Sequence, residues 1–365
     1  MQRRGRVLIV DDSVVIRSLL TRVLSESPDI EVVGTSANGR LALRRLAKED
    51  VDVVILDVDM PELDGLSTLR ILRQDHPQVR VIMFSTLTEA GATATIESLA
   101  LGAYDYVTKP SATNNAERTA AAVREELARK VHVACFGEAL RRTSQVQRPD
   151  ASPSVAPSSP VDVIAIGAST GGPNALTQIV SELPADFPVP ILIVQHMPIM
   201  FTRIFAERLN GLSALSVREA TDGARIERGS VWIAPGGAHM LLVRDPEPRI
   251  SLNYEPPVNF CRPSVDVLFR SVASAYGPRA LCAVLTGMGH DGLHGAEVVR
   301  RLGGRVFAQD QQTSVVWGMP GYVVRAQLAH EILPLPDLAG ALTACVANSR
   351  SSFRVAPAAL EGSRA

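Results

Sequence analysis

The chain has 365 residues, and at roughly 150 residues per domain it is expected to hold two cores. Its 37 basic and 38 acidic residues nearly cancel, which excludes binding to nucleic acid mainly through net charge. No run of eighteen apolar residues occurs, and the apolar stretch behind the basic start ends at Asp11-Asp12, so neither a membrane span nor a secretory signal is expected and the location should be cytosolic.

From residue 7 the chain alternates short apolar runs with helix-period segments, the first helix being marked by Ile16, Leu19, Leu20, Val23 and Leu24. Strands are predicted at 7–10, 31–33, 51–56, 79–84 and 104–107, with further helices at 39–49, 65–74 and 89–101. Such units in succession predict a parallel sheet covered on both faces. After a predicted helix at 115–140, residues 141–160 hold four prolines and five serines without apolar periodicity, the mark of a flexible linker. A coil of that length spans about 25 Å, which gives tethered domains a high local concentration of one another. Apolar runs return at 161–166, 191–194, 231–234 and 281–285, separated by helical stretches such as 174–182 and 201–209, so the second domain is α/β as well. Residues from 351 onward are mostly small or polar and are expected to fray. The cysteines, Cys135, Cys261, Cys282 and Cys345, lie far apart without C-x-x-C spacing, which argues against a zinc site and a disulfide framework.

Open parallel sheets gather ligands at the carboxyl ends of their strands. In the first domain those ends carry Asp11-Asp12, Asp57, Ser85 and Thr108-Lys109-Pro110. Converging carboxylates with too few basic partners need a divalent cation, and oxygen-only ligands favour Mg²⁺. Asp57 could then attack a phosphoryl group, with Lys109 and the Ser85 hydroxyl on the phosphoryl oxygens. Taken alone, Asp12 or Asp64 reads as a helix N-cap. The whole set, Asp11, Asp12, Asp57, Met60-Pro61, Asp64-Gly65, Ser85 and Lys109-Pro110, resembles the receiver domain of two-component response regulators. The resemblance implies phosphorylation at Asp57 and Mg²⁺ held by Asp11, Asp12, Asp57 and a main-chain oxygen at Asp59. It also implies a relay through Ser85 and Tyr106.

In the second domain an apolar strand leads into Gly167-Ala168-Ser169-Thr170-Gly171-Gly172-Pro173 and then a helical stretch. A dinucleotide fingerprint would need glycine where Ser169 stands, and a phosphate loop would need a lysine that is missing. On spacing alone, a G-x-S-x-G elbow with a serine on a strained turn and an anion-binding or structural glycine turn both fit. A nucleophilic serine needs a base. Among seven histidines, His196 ends the next apolar strand, with His239 as its rival. Asp291, after the strand at 281–285, is the candidate carboxylate for the imidazole, although it could be a turn aspartate before Gly292 and has His290 beside it.

Gly-Ala-Ser-Thr-Gly-Gly at 167–172, Gln-His-Met-Pro at 195–198, Ala-Pro-Gly-Gly with His-Met within 234–240, Arg262-Pro263-Ser264-Val265-Asp266, and Leu-Thr-Gly-Met-Gly with Asp-Gly within 285–292 resemble the chemotaxis protein-glutamate methylesterase family. The resemblance covers nearly the whole chain. It implies two doubly wound parallel-sheet domains: a flavodoxin-like receiver at 1–125 and an α/β methylesterase domain at 161–350, joined by a helix and linker at 126–160 and followed by a tail at 351–365. It further implies a Ser169, His196, Asp291 triad with oxyanion donors from the Met288 main chain and the Thr170 region. The implied activity is hydrolysis of glutamate methyl esters, with glutamine deamidation, on methyl-accepting chemotaxis receptors, and the implied phosphodonor is a chemotaxis sensor histidine kinase. Mg²⁺ is implied for the receiver and no cofactor for ester hydrolysis. Inhibition within the chain, relieved by phosphorylation, is the expected control. Two other outputs compete. A DNA-binding domain lacks a compact helix-turn-helix pattern here. A catalytically idle docking module would leave the Ser, His and Asp set without a use.

Overall fold

A computed structural model of the protein describes residues 3–110, 116–143, 159–244 and 246–354. The chain divides into two compact units, Met1–Val146 and Gln147–Ala365. Most of the expected linker, at 144–158, and the tail from 355 lie outside the described residues.

In the first unit, β1 (Gly5–Val10), β2 (Ile30–Ser36), β3 (Val53–Asp57), β4 (Arg80–Ser85) and β5 (Asp105–Thr108) form one parallel sheet in the order β2-β1-β3-β4-β5. Between them run α1 (Val14–Ser25), α2 (Gly39–Leu46), α3 (Gly65–Asp75) and α4 (Glu89–Ala100), and α5 (Ala116–Thr143) follows. The central strand β3 is buried at every position, as a strand covered on both faces must be. Side-chain oxygens of Ser13, Asn38, Asp64 and Thr88 cap the starts of α1 to α4, so each strand-to-helix turn is fixed by its own sequence. Asp64 is such a cap, accepting from Ser67 N at 2.7 Å.

The second unit is built on β6 (Val163–Ala168), β7 (Ile191–Gln195), β8 (Ser216–Glu219), β9 (Ser230–Ile233), β12 (Ala280–Val284), β13 (Arg305–Gln309) and β14 (Glu331–Leu333). All pair in parallel, in the order β14-β13-β12-β6-β7-β9-β8. An antiparallel hairpin, β10 (His239–Arg244) with β11 (Pro248–Asn253), stands apart from that sheet. Helices α6 (Gly172–Glu182), α7 (Ile199–Leu212), α8 (Val265–Tyr276), α9 (Leu293–Arg301), α10 (Met319–Arg325) and α11 (Leu335–Arg354) complete it. The last helix extends a few residues into the segment expected to fray. Strand β6 is central and wholly buried, with β7 and β12 as its neighbours. The carboxyl ends of three adjacent strands therefore open side by side, and Ser169, His196 and the loop bearing Asp291 leave from them.

Candidate active site

At the receiver's strand ends, Asp11, Asp12 and Asp57 offer oxygens that all lie within 4.8 Å of one another. Lys109 Nζ is 2.9 Å from Asp11 Oδ2 and 2.8 Å from Asp57 Oδ1. Burial raises the Asp57 carboxyl to about 6; Lys109 opposes the shift and Asp11 adds to it. Asp11 Oδ2 is buried and, despite the nearby ammonium, makes no aligned hydrogen bond. An all-oxygen donor set in which three carboxylates share one ammonium, and whose buried Asp11 oxygen makes no aligned hydrogen bond, fits a hard divalent cation. Asp12 and Asp59 are exposed, and Asp59 is not one of the clustered carboxylates. Ser85 is buried and its Oγ donates to Gly91 O at 3.0 Å, while Ser85 O accepts from Lys109 N at 2.7 Å. Tyr106 is turned inward, with Lys130 Nζ 4.9 Å from its ring centre.

In the second unit, the chain turns sharply between β6 and α6. Gly171, at φ 77°, takes the left-handed position. The strain expected at Ser169 itself is absent, because Ser169 is not among the residues of positive φ and glycine absorbs the turn at lower steric cost. Ser169 N donates to Thr286 O at 3.0 Å, and Ser169 O accepts from Gly172 N at 2.8 Å and from Gln195 Nε2 at 3.0 Å. Gln195 Nε2 also reaches His196 O at 3.3 Å, and His196 N donates to Ala168 O at 3.2 Å. Backbone bonds thus hold residues 169 and 196 side by side. A methyl group on Gly287 would come within 2.9 Å of Ser169 Cβ, so the loop after β12 packs directly against the serine.

His196 Nε2 lies 2.9 Å from Asp291 Oδ2. Val265 N donates to the same oxygen at 2.7 Å. Asp291 Oδ1 accepts from Ser264 Oγ at 2.8 Å, Asn259 Nδ2 at 2.9 Å and Asp266 N at 3.1 Å. Burial would raise this carboxyl, but the His196 bond and its other donors outweigh it and hold it down at about 2. The structure therefore brings His196 and Asp291 together. Among the described residues no hydrogen bond joins Ser169 Oγ to the imidazole, whose Nδ1 instead faces Cys261 Sγ at 3.6 Å. Catalytic hydrogen bonds often tighten only when substrate is present.

The other candidates separate. His239 is buried, its Nδ1 accepting from Ser264 N and its Nε2 meeting Pro256 O, both at 3.2 Å, so it holds the loop between β11 and α8. His290 is exposed and stacks edge-on against Tyr322, 5.7 Å between ring centres. Thr170 is buried, and its carbonyl accepts from Thr286 Oγ1 at 2.9 Å. Met288 is half-buried in the loop after β12, and its N–H makes no backbone hydrogen bond among the described residues. Gln195, Ser264 and Asp266, which complete the site, stand in the motifs at 195–198 and 262–266 but carry no expected role there, and Asn259 lies outside every motif. The Ser-x-Asp at 264–266 before an apolar helical run was the available signal, since that pattern marks a helix start.

Residues 164–342 match the family model described as CheB methylesterase, and residues 7–121 match that of the response regulator receiver domain. The chain is 48% identical to a protein-glutamate methylesterase/protein-glutamine glutaminase of Trichodesmium erythraeum, over 92% of this chain and 97% of the relative. It is 46% identical to a protein of the same name from Nocardioides sp., over 95% and 97%. The CheB methylesterase catalytic domain of Thermotoga maritima is similar in structure, with a TM-score of 0.50 and 40% identity, covering 50% of this chain and 97% of that one.

Proposed function

The chain belongs to the receiver-bearing CheB methylesterase family, and from that membership we propose that Ser169, His196 and Asp291 are the residues through which it demethylates glutamate methyl esters and deamidates glutamines on chemoreceptors. Ser169 Oγ attacks the ester carbonyl and passes its proton to His196. Because Nε2 is engaged by Asp291, Nδ1 is the nitrogen that takes it. Asp291 stabilises the imidazolium, which then protonates the departing methoxide. Water repeats the cycle on the acyl-serine and frees the glutamate; with glutamine the first leaving group is ammonia. The Met288 N–H and the Thr170 region are the proposed donors to the oxyanion.

In the receiver, Asp57 accepts the phosphoryl group from a sensor kinase, and Lys109 and Ser85 meet its oxygens. Mg²⁺ would be held by Asp11, Asp12, Asp57 and the Asp59 main chain, where it neutralises the acidic cluster. Phosphorylation raises the esterase rate, and Tyr106 takes part in the relay.

The observation that carries the esterase reading is the His196 to Asp291 bond at the end of the strand adjoining Ser169. Methanol release from methylated receptor tests it. Ser169→Ala is expected to lose about 10⁴- to 10⁶-fold in turnover. Hydrolysis at the wild-type rate in that variant would reject the assignment.

A further inference from the structure

Nothing in the proposed reaction uses Cys261, yet its sulfur faces the nitrogen proposed to accept the serine's proton. The thiol and the ring are both half-buried, with 14% of the His196 side chain exposed. Their separation suits a thiol–imidazole hydrogen bond and equally a shared cation. In tetrahedral coordination, with Zn–S near ~2.3 Å and Zn–N near ~2.05 Å, adjacent sulfur and nitrogen ligands stand about 3.6 Å apart. Cys261 Sγ and His196 Nδ1 stand 3.6 Å apart. The far side of the ring is already arranged as at a zinc-bound histidine: Nε2 stands 2.9 Å from the Asp291 carboxylate, so the neutral ring keeps its hydrogen there and its lone pair on Nδ1. Asn259, Ser264 and the first N–H groups of α8 hold that carboxylate in turn.

We infer that Cys261 Sγ and His196 Nδ1 form a reversible site for a soft divalent cation, Zn²⁺, whose occupancy shuts off the esterase. Binding displaces the thiol proton to solvent, and also the Nδ1 proton where the ring is charged, so affinity rises with pH. Water fills the remaining positions. The cation takes the lone pair that Ser169 needs, so a serine in the occupied protein has no base. Thiolate and imidazole discriminate against Mg²⁺, which the receiver's oxygens suit. The chain thus carries a hard site and a soft site of opposite preference. Inhibition rests on His196 being the base, whereas metal binding does not.

The test uses the full-length protein in excess Mg²⁺. Added Co²⁺ should give a thiolate-to-cobalt charge-transfer band in wild type and in Ser169→Ala, and Zn²⁺ should abolish it by competition. The band should be missing in Cys261→Ser and in His196→Gln, two variants that guard against a misfolded one. Zn²⁺ should inhibit methanol release from methylated receptor, with reversal by a zinc-selective chelator. Relative to its own uninhibited rate, Cys261→Ser should need at least about tenfold more Zn²⁺ for half-inhibition. A wild type without the band, or a band and inhibition unchanged in Cys261→Ser, would overturn the site. A wild type that shows the band but never hydrolyses receptor ester would keep the metal site and remove the esterase reading.

Discussion

His196 stands under opposing influences. Burial disfavours its imidazolium, but the Cys261 sulfur and the Asp291 carboxylate outweigh that and raise its pKa from 6.5 to about 10. A base accepts a proton only when deprotonated, so kcat/KM for ester hydrolysis should climb with pH along a limb centred above the ordinary histidine range. Cys261→Ala removes one of the raising influences and should move that limb to lower pH by about one unit or more. An unmoved limb would mean that the sulfur does not bear on the ring. Ser169, His196 and Asp291 were legible in the sequence as candidates because each sits at or beyond the end of a short apolar run, and parallel sheets bring such ends together. Cys261 and Asn259 were not legible. They ride on a loop held by buried His239, so their proximity to the site arises from packing and has no local pattern.

Helices α8 and α9 exchange caps. Asp291, just before α9, accepts from the first N–H groups of α8, while Asp266, in the first turn of α8, accepts from Gly292 N at 3.0 Å and Gly295 N at 2.6 Å. Ser264, the N-cap residue of α8, donates its hydroxyl to Asp291 rather than capping its own helix. Each carboxylate sits at a positive helix end, so the two elements lock together and Asp291 becomes part of the lock. Asp266→Ala should cost about 1–3 kcal/mol in thermal unfolding and lower kcat more than it changes KM, since Asp291 loses its fixed position. A destabilised variant of undiminished kcat would separate the lock from catalysis. The strands of both sheet centres were readable as apolar runs and most helices by their period. The hairpin β10–β11 and the strands β8, β13 and β14 were not: sequences such as SVRE and PRISLN are half-exposed and carry the polar residues of edges, and β13, RVFAQ, is a short run closed by polar residues at both ends.

The whole chain joins a response regulator receiver unit with a CheB methylesterase unit. A small-molecule phosphodonor with Mg²⁺ should raise methanol release by the full-length protein about tenfold, equivalent to ~1.4 kcal/mol, and leave Asp57→Asn unchanged. An equal response in both proteins would disconnect the receiver from the output. The covalent intermediate is the most direct test of the proposed mechanism, because the imidazole nitrogen assigned to serve Ser169 faces a second candidate nucleophile, Cys261. Turnover of methylated receptor peptide should be quenched in acid and the protein digested for mass spectrometry. The acyl adduct should lie on the peptide carrying Ser169 and be absent from Ser169→Ala. An adduct on Cys261, or no adduct on Ser169 under conditions where deacylation limits turnover, would contradict the mechanism.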